Sequence, residues 1–389
     1  MHHFIFPIQD TWISSGSNKI TGTPETDQNF GKDEILEVKK VFYNSSFDYQ
    51  TRALIKFGGN DFTEMSKSIS NGSIKDPKFF LKLYEAEGNS DIQTDYTLAF
   101  QPLSQSWVEG TGKFGDIPKN TNGCSWNNRF NPTGGSETAW ISHSLGGSVV
   151  TSSHAGGLAH SAGVRIASSS IQTFSNQSPD INVDITNMVN GWLSGSGGGN
   201  RGLDNHGLLI RFSGSQETDS TTFGNLKFFS RDTNTIYAPK LEVRWDDHSP
   251  ATGSNTGSLL TLDATGNSDN YLYMKGLKES YKEGDRVKFR VGARKRYIQK
   301  TFDTSVQTVT GSFIPEGSGS YAIKDVATDE FIVPFDSYTS MSCDNTSSYF
   351  NQWLDGFYPD RVYKILLKLK MDDGQEQIFD DGFEFKVKR

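Results

Sequence analysis

The sequence predicts an all-β protein, and three observations lead to this prediction. Only 34% of the 389 residues are hydrophobic, which is low for a helical enzyme but usual for short strands joined by polar turns. Aromatic residues make up 12% of the chain and include 27 phenylalanines, which favour pleated, half-buried surfaces. Short apolar runs also recur between clusters of Gly, Asn, Ser and Asp, the residues that form turns.

Residues 1–247 contain a series of such runs, which we interpret as the strands of a jelly-roll-like β-sandwich. The last run follows Pro239, a residue that is tolerated at the start of a strand. Its alternate residues place Leu241, Val243 and Trp245 on one face and three charged residues on the other. The predicted strands are residues 10–13, 34–38, 51–57, 79–84, 208–212, 228–229 and 240–245.

One short helix is predicted within this domain. Apolar residues recur at helical spacing at positions 185, 188, 189, 192 and 193. Asp184 is a suitable N-cap, and Gly195 is a suitable residue to end the helix. We expect this amphipathic helix to cover one end of the sandwich.

The second half of the chain predicts a smaller β domain. Residues 248–257 form a linker of small residues with one proline. In residues 258–389, alternating patterns at 286–291, 363–371 and 383–387 predict strands, and Asp372-Asp373-Gly374 predicts a hairpin turn. An Ig-like sandwich and a small barrel both fit this pattern.

Charge and targeting features narrow the classes of function. The net charge is −8, and six of the excess negative charges fall in residues 1–247, so nucleic acid is not expected as a main partner. Cys124 and Cys343 lie far apart and indicate neither a disulfide framework nor a metal cage. The chain has no signal-peptide pattern and no membrane-spanning apolar run, so we expect an unprocessed protein made in a cytoplasm and independent of membranes.

The segments of residues 1–247, taken in order, resemble the DNRLRE-type β-sandwich domain. The resemblance implies a binding or structural module without catalysis. Departures are Ser125 in place of a threonine before Trp126, and insertions at 14–28 and 127–160, of which the second is expected to be a surface contact loop. The matching residues are Asp10, Trp12, Ile13, Asn29-Phe30-Gly31, Leu36, Val38, Arg52, Leu54, Phe57, Leu81-Lys82-Leu83-Tyr84, Trp107-Val108-Glu109, Asp184-Ile185-Thr186, Val189, Trp192, Gly207-Leu208-Leu209-Ile210 and Ser230-Arg231-Asp232.

The second half is similar to the C-terminal domains of virion structural proteins in tailed phages, particularly myophages of marine bacteria. The segments that carry this similarity are 292–297, 321–325, 333–336 and 349–350. The resemblance implies a protein located in the virion. Its partners would be other virion proteins, and it would occur in multiple copies within a symmetric assembly.

Other chemical motifs are better explained by loops. Residues 197–202 satisfy G-x-G-x-x-G, but they follow a helix and precede a strand, the reverse of a dinucleotide site. Three histidines of the 127–160 insertion (His143, His154 and His160) lack the partners of a zinc site. We therefore expect no catalytic residue, no bound cofactor and no zinc. A structural calcium ion within 1–247 stays an alternative, because carbohydrate-binding β-sandwich modules often hold one.

Two places are candidate contacts for a partner or a glycan. Trp140 lies in the 127–160 insertion and is the tryptophan expected to be exposed. Arg294, Lys295 and Arg296 belong to a basic run that suits an acidic neighbour or DNA, the ordinary alternative being a solvated strand face and turn.

Two functions remain. The favoured one is a non-enzymatic structural component of a tailed-phage virion, in the head, neck or tail, that acts through protein–protein contacts. The alternative is a carbohydrate-binding module for host adhesion, which would present an exposed aromatic groove with convergent polar groups.

Overall fold

The structure is a computed structural model, and it divides the chain into two compact units. The N-terminal unit comprises Ile5–Ser73 and Lys78–Val243, and the C-terminal unit comprises Met1–Phe4, Ile74–Pro77 and Arg244–Arg389. The structure describes residues 1–17, 22–43, 46–87, 95–143, 149–153, 156–157, 170–175, 180–195, 202–217, 219–297, 302, 304–306 and 309–389.

Strands are the predominant regular structure of the described chain, as the sequence predicts, and sixteen of them precede residue 245. All of the runs predicted in residues 1–247 lie on strands. These strands are β1 (His2–Ile5), β2 (Pro7–Ser14), β3 (Ile35–Tyr43), β4 (Ser46–Phe57), β5 (Lys78–Leu83), β6 (Glu85–Glu87), β7 (Asp95–Pro102), β8 (Asn128–Phe130), β9 (Thr138–Ala139), β10 (Ile141–His143), β11 (Val149–Ser153), β12 (Ser170–Ser175), β13 (Ile181–Asp184), β14 (Leu208–Phe212), β15 (Gly224–Phe229) and β16 (Lys240–Arg244).

The large sheet of the N-terminal unit is antiparallel and is organised around the long strand β4. Its order is β12-β7-β14-β4-β3-β15-β6, and β2 also pairs with β4. The first part of β4 pairs with β3, and its second part pairs with β2 and β14. A second sheet contains β16, β5 and β13, and the insertion after residue 127 forms the small pairs β8–β9 and β10–β11.

Alternation along the strands forms the core of this unit. In β5, Phe79, Leu81 and Leu83 are buried, because successive side chains point to opposite faces of a strand. In β16 the charged face is also buried, which the alternation alone does not predict. There the Glu242 carboxylate accepts from Lys82 Nζ at 3.0 Å, so the buried carboxylate has a partner of opposite charge in place of water.

Two α-helices, α1 (Gly59–Ser70) and α2 (Thr186–Ser194), interrupt the strands. Helix α2 is the predicted one, and Gly195 ends it with φ 63°. The predicted N-cap is one residue too early: the helix begins at Thr186, so Ile185 is the N-cap, while Asp184 Oδ1 accepts from the Thr186 N–H at 2.8 Å. Helix α1 was not predicted. Phe62, Met65 and Ile69 do recur at helical spacing, but the other residues are mostly polar and only Met65 is buried.

The C-terminal unit holds two further sheets. Their orders are β17-β21-β20-β25-β24, with β18 also paired to β20, and β19-β27-β26-β22-β23. Eight aromatic residues and sixteen aliphatic residues or methionines form the core of this unit, and the Asp372-Asp373-Gly374 turn joins β26 to β27 as predicted. The strands are β17 (Leu260–Thr261), β18 (Asn270–Lys275), β19 (Ser280–Lys282), β20 (Arg286–Lys295), β21 (Ser312–Phe313), β22 (Gly319–Asp325), β23 (Phe331–Val333), β24 (Ser342–Cys343), β25 (Ser348–Trp353), β26 (Val362–Lys370) and β27 (Glu376–Lys388).

The C-terminal unit includes three segments from outside residues 258–389, namely Met1–Phe4, Ile74–Pro77 and residues 244–257. The Met1 ammonium group is buried and donates to the carbonyls of Trp245 at 2.5 Å and Tyr338 at 2.8 Å. Residues 248–257 also belong to this unit, and the Ser249 carbonyl accepts from the Cys343 N–H at 3.0 Å. No helix in the described part of the chain is long and apolar enough to cross a membrane.

Candidate functional site

Residues that carry the resemblance of 1–247 meet in the N-terminal unit, although they are far apart in the sequence. Asn29 is fully buried, and its Nδ2 donates to the carbonyls of Glu109 at 2.7 Å and Cys124 at 2.8 Å. Its Oδ1 accepts from the backbone N–H groups of Gly31 and Gly112. One amide side chain therefore fixes the turn at 29–31 against the segment 109–124.

Glu109 also belongs to a charged cluster with Asp10, Lys32, Arg231 and Asp232. Glu109 Oε1 accepts from the Asp10 N–H at 3.1 Å, and Asp10 Oδ2 accepts from the Arg231 N–H at 2.6 Å. Lys32 Nζ lies 3.2 Å from Glu109 Oε2 and 3.1 Å from Asp232 Oδ2. The charged cluster thus joins β2 to two distant turns, which is a structural reason for these motif residues.

The environment of Asp10 differs from that of the other two carboxylates. Asp10 is buried, and this burial raises its pKa to about 8, with a further contribution from the charges of Glu109 and Asp232. The hydrogen bond from the Arg231 N–H opposes the shift without cancelling it. At neutral pH, a protonated Asp10 leaves two carboxylates facing the two cations Lys32 and Arg231.

This cluster is the place where a metal ion would have to be considered among the described residues. One oxygen each from Asp10, Glu109 and Asp232 lies within 4.8 Å of the others, and oxygen ligands suit calcium. Lys32, however, already supplies positive charge to Glu109 and Asp232, and its pKa is raised because hydrogen bonds to both carboxylates outweigh the effect of burial. The residues present therefore form a complete ion-pair network and do not require an ion.

A polar cleft of about 620 Å³ opens between residues 116–122 and 131–137 of the N-terminal unit. Its walls are joined by Gly123 and Asn131, whose backbones exchange two hydrogen bonds of 3.0 Å. The Glu137 carboxylate accepts from the side chains of Asn131 and Asn128 at 3.2 and 3.1 Å.

The lining of this cleft suits a ligand rich in hydroxyl groups. Among the described residues, the side chains of Thr121, Asn122 and Thr133 have no hydrogen-bond partner. Hydroxyl and amide groups both donate and accept, as sugar hydroxyls do. No aromatic ring is found among the described lining residues, so the cleft lacks the stacking surface that the carbohydrate-binding alternative predicts.

Trp140 is not exposed, so the prediction of a contact through its ring is wrong. Its side chain is 0% exposed and packs with Trp107, Cys124 and other apolar residues. Its Nε1 donates to the carbonyl of Ser125 at 3.0 Å. The ring therefore anchors the start of the insertion to the core.

The three basic residues predicted as contacts lie at the end of β20, and each has a local partner. Lys295 Nζ lies 2.9 Å from Asp263, and Arg296 Nε lies 3.1 Å from Asp269. The Arg294 guanidinium instead lies 5.0 Å from the ring centre of Tyr271. The structure thus separates Arg294, which stacks on a sheet face, from its two neighbours. Their role as contacts stays a prediction.

The segment that follows these residues exposes large apolar side chains. Tyr297 is 76% exposed, Val306 is 91% exposed, and Phe302 is fully exposed. Leu260 on β17 is also exposed, and its N–H donates to the carbonyl of Gly311 at the end of the segment. We call Tyr297, Phe302, Val306 and Leu260 the exposed apolar group.

Comparisons with known proteins add little to these geometries. The chain matches no family model and no curated protein. Among solved structures, it is similar over 98% of both chains to the adhesin domain of Epf from Streptococcus pyogenes, with 7% identity and a TM-score of 0.17. It is also similar to a β-glucuronidase from Parabacteroides merdae, with 7% identity and a TM-score of 0.19, over 98% of this chain and 35% of the other. Scores this low carry no argument about fold or function.

Proposed function

We propose that this protein is a non-enzymatic structural component of a tailed-phage virion, in the head, neck or tail, that acts through protein–protein contacts. The observation that carries the contacts is the exposed apolar group of the C-terminal unit. The assignment to a virion rests on the resemblance of the same half of the chain to virion structural proteins. Several copies in a symmetric assembly, with other virion proteins as neighbours, complete the proposal.

The exposed apolar group carries a free-energy cost because its side chains face water. A monomeric protein seldom keeps several large apolar side chains exposed in one short segment, because covering them releases roughly 25 cal/mol for each Å². Phe302 and Tyr297 are aromatic, and aromatic residues are enriched at the centres of protein interfaces. The segment therefore has the composition of a contact that is covered when a partner binds.

A non-catalytic role is supported by the charged cluster of the N-terminal unit. Carboxylates that act as acids or bases need access to a substrate. Here Asp10 is buried, while Glu109 and Asp232 bind Lys32. The cluster therefore has an evident structural task, the joining of β2 to the turns at 109 and 231.

The test compares the mass of the purified chain in solution with that of two variants. We expect a discrete oligomer for the wild type and a smaller species for Phe302→Ser/Val306→Ser, because the variant loses apolar contact area. Ile117→Ser is the matched control, since Ile117 is also highly exposed but lies in the N-terminal unit. A wild type that is monomeric and binds glycans specifically would contradict the proposal.

The carbohydrate-binding alternative keeps one observation in its favour, the polar cleft at 116–137. A glycan-array screen of the wild type and of Asn122→Ala/Thr133→Ala tests it. Specific binding that the double variant abolishes would make adhesion the function, whereas a silent array leaves assembly as the explanation.

A further inference from the structure

One face of the sheet around β20 presents cations at regular intervals. Residues 289, 291 and 293 of β20 point into the core, so Arg286, Lys288, Arg290 and Arg294 point to the opposite face. Alternate residues of a strand lie roughly 6.7 Å apart, so the strand spaces its charges evenly. Gly292 occupies the remaining position of this row.

Aromatic rings from the two neighbouring strands hold these cations. Arg286 lies 5.4 Å from the ring centre of Trp353, its direct partner on β25. Lys288 Nζ lies 3.6 Å from the ring centre of Tyr349. On the other side, Arg294 lies 5.0 Å from Tyr271, its direct partner on β18. Three of the four cations are therefore stacked on a ring, which limits their freedom before any partner binds.

Gly292 has no side chain, and this leaves room for the ring of Tyr273. A Cβ atom at this position would lie 2.3 Å from Cζ of Tyr273, so the tyrosine ring lies directly over the glycine. Tyr273 in turn stacks on Tyr271, with ring centres 5.8 Å apart. The ring of Tyr273 thus fills the one position of β20 that has no side chain of its own.

The charges on this face are not balanced locally. The face carries five cations (Lys275, Arg286, Lys288, Arg290 and Arg294). Asp344 accepts from Lys288 and, through both oxygens, from Arg290 at 3.0 Å. Asp247 lies 3.4 Å from Asn351 and also pairs with the Met1 ammonium group. An excess of positive charge remains, although the whole chain has a net charge of −8.

We propose that this basic aromatic face binds an acidic surface of another protein. The inference rests on the proposed function and names the chemistry of the partner. Arg, Tyr and Trp are the residue types that dominate binding energy in protein interfaces, and they make up most of this face. An extended acidic segment carries carboxylates on alternate residues at the same spacing of roughly 6.7 Å, so it can meet successive cations of β20.

Single-stranded nucleic acid is the less favoured partner. Sites of that kind stack bases on open aromatic rings, but the rings of Trp353, Tyr349 and Tyr271 are already covered by cations.

The experiment uses the full chain and two labelled probes of equal charge, poly-L-glutamate and an oligothymidylate, near physiological salt. We expect tighter binding of poly-L-glutamate. The variant Arg286→Gln/Lys288→Gln/Arg294→Gln should bind it about tenfold more weakly, because three exposed ion pairs are lost. Lys364→Gln/Lys368→Gln/Lys386→Gln is the control, because it removes the same charge from the other sheet and should bind almost normally.

A second variant separates a built surface from general attraction between opposite charges. Tyr271→Leu/Tyr349→Leu keeps every charge but removes two rings that hold cations, so we expect binding about threefold weaker. The proposal is overturned if this variant binds poly-L-glutamate as well as the wild type, or if both glutamine variants lose binding equally. It is also overturned if the wild type binds oligothymidylate more tightly than poly-L-glutamate, or binds neither probe. If poly-L-glutamate binds as expected but Phe302→Ser/Val306→Ser leaves the oligomer intact, the proposed contact through the exposed apolar group fails and this face stands.

Discussion

Replacing Asp10 by asparagine should change how the stability of the protein depends on pH. Asp10 is almost completely buried, and its pKa is raised from 3.8 to about 8, mainly by burial. Asparagine has nearly the same shape and can still accept the hydrogen bond from the Arg231 N–H through its side-chain oxygen. The substitution therefore removes the titration while it keeps the main contact.

The size of the effect follows from proton binding in the folded and unfolded states. Above about pH 4 the unfolded chain has released the Asp10 proton, but the folded chain keeps it until about pH 8. The folded state binds more protons over this interval, so the stability of the wild type falls as pH rises. Between about pH 5 and pH 8, the wild type should lose about 3 kcal/mol relative to Asp10→Asn.

Urea unfolding at both pH values, with a chelator present, measures this difference. Asp61→Asn is the matched control, because it makes the same chemical change at an exposed position on helix α1. A wild type whose stability relative to Asp10→Asn does not change with pH would show that Asp10 is ionised throughout. Stabilisation of the wild type alone by added Ca²⁺ would show instead that the cluster is a calcium site.

Three further substitutions test the packing described above. Asn29→Ala leaves two backbone carbonyls and two N–H groups without their partner, so the free energy of unfolding, measured with urea, should fall by about 3 kcal/mol. The control Asn120→Ala removes weaker contacts and should lower it by less than about 1 kcal/mol. A loss below that of the control would contradict the role given to Asn29. Lys40→Met removes a buried ammonium group that binds the carbonyls of residues 216 and 219. The loop that contains these carbonyls should then open more often, so limited proteolysis should cut it faster than in the wild type. An unchanged cleavage rate would contradict the role given to Lys40. Gly292→Ala should lower the free energy of unfolding by about 1–3 kcal/mol, because its Cβ would clash with the ring of Tyr273. The double variant Gly292→Ala/Tyr273→Ala should recover part of this loss, and a double variant that recovers none would show that the clash is not with Tyr273.

Patterns within short stretches predicted much of the fold. Alternation in residues 363–371 corresponds to β26, where Tyr363, Ile365, Leu367 and Leu369 are all buried. The spacing of apolar residues predicted α2, and its C-terminal end agrees with the signal at Gly195, whereas its N-cap is Ile185 and not Asp184. These predictions succeed because the side-chain period of a strand or a helix is a local property of the backbone.

Burial was harder to predict where it depends on distant segments. Trp140 was expected to be exposed because it lies in a polar insertion, but the small strand pair β8–β9 carries it back to the core. Helix α1 was missed although Phe62, Met65 and Ile69 recur at helical spacing, because this apolar stripe is short and the other residues are mostly polar. For Trp140 the local sequence lacks the information, because the neighbours that decide its burial lie elsewhere in the chain.

The candidate sites depend even more on long-range pairing. The residues of the charged cluster come from positions 10, 32, 109, 231 and 232, and no spacing rule brings them together. The cations of β20 were visible as alternating charges, but the register of β20 with β18 and β25 decides that Arg294 meets Tyr271 and Arg286 meets Trp353. Composition and alternation were thus enough for the class of fold and for ten of the 27 strands in the described chain. The contacts that give a face its chemistry arise from strand register and chain crossings, which depend on the packing of the whole chain.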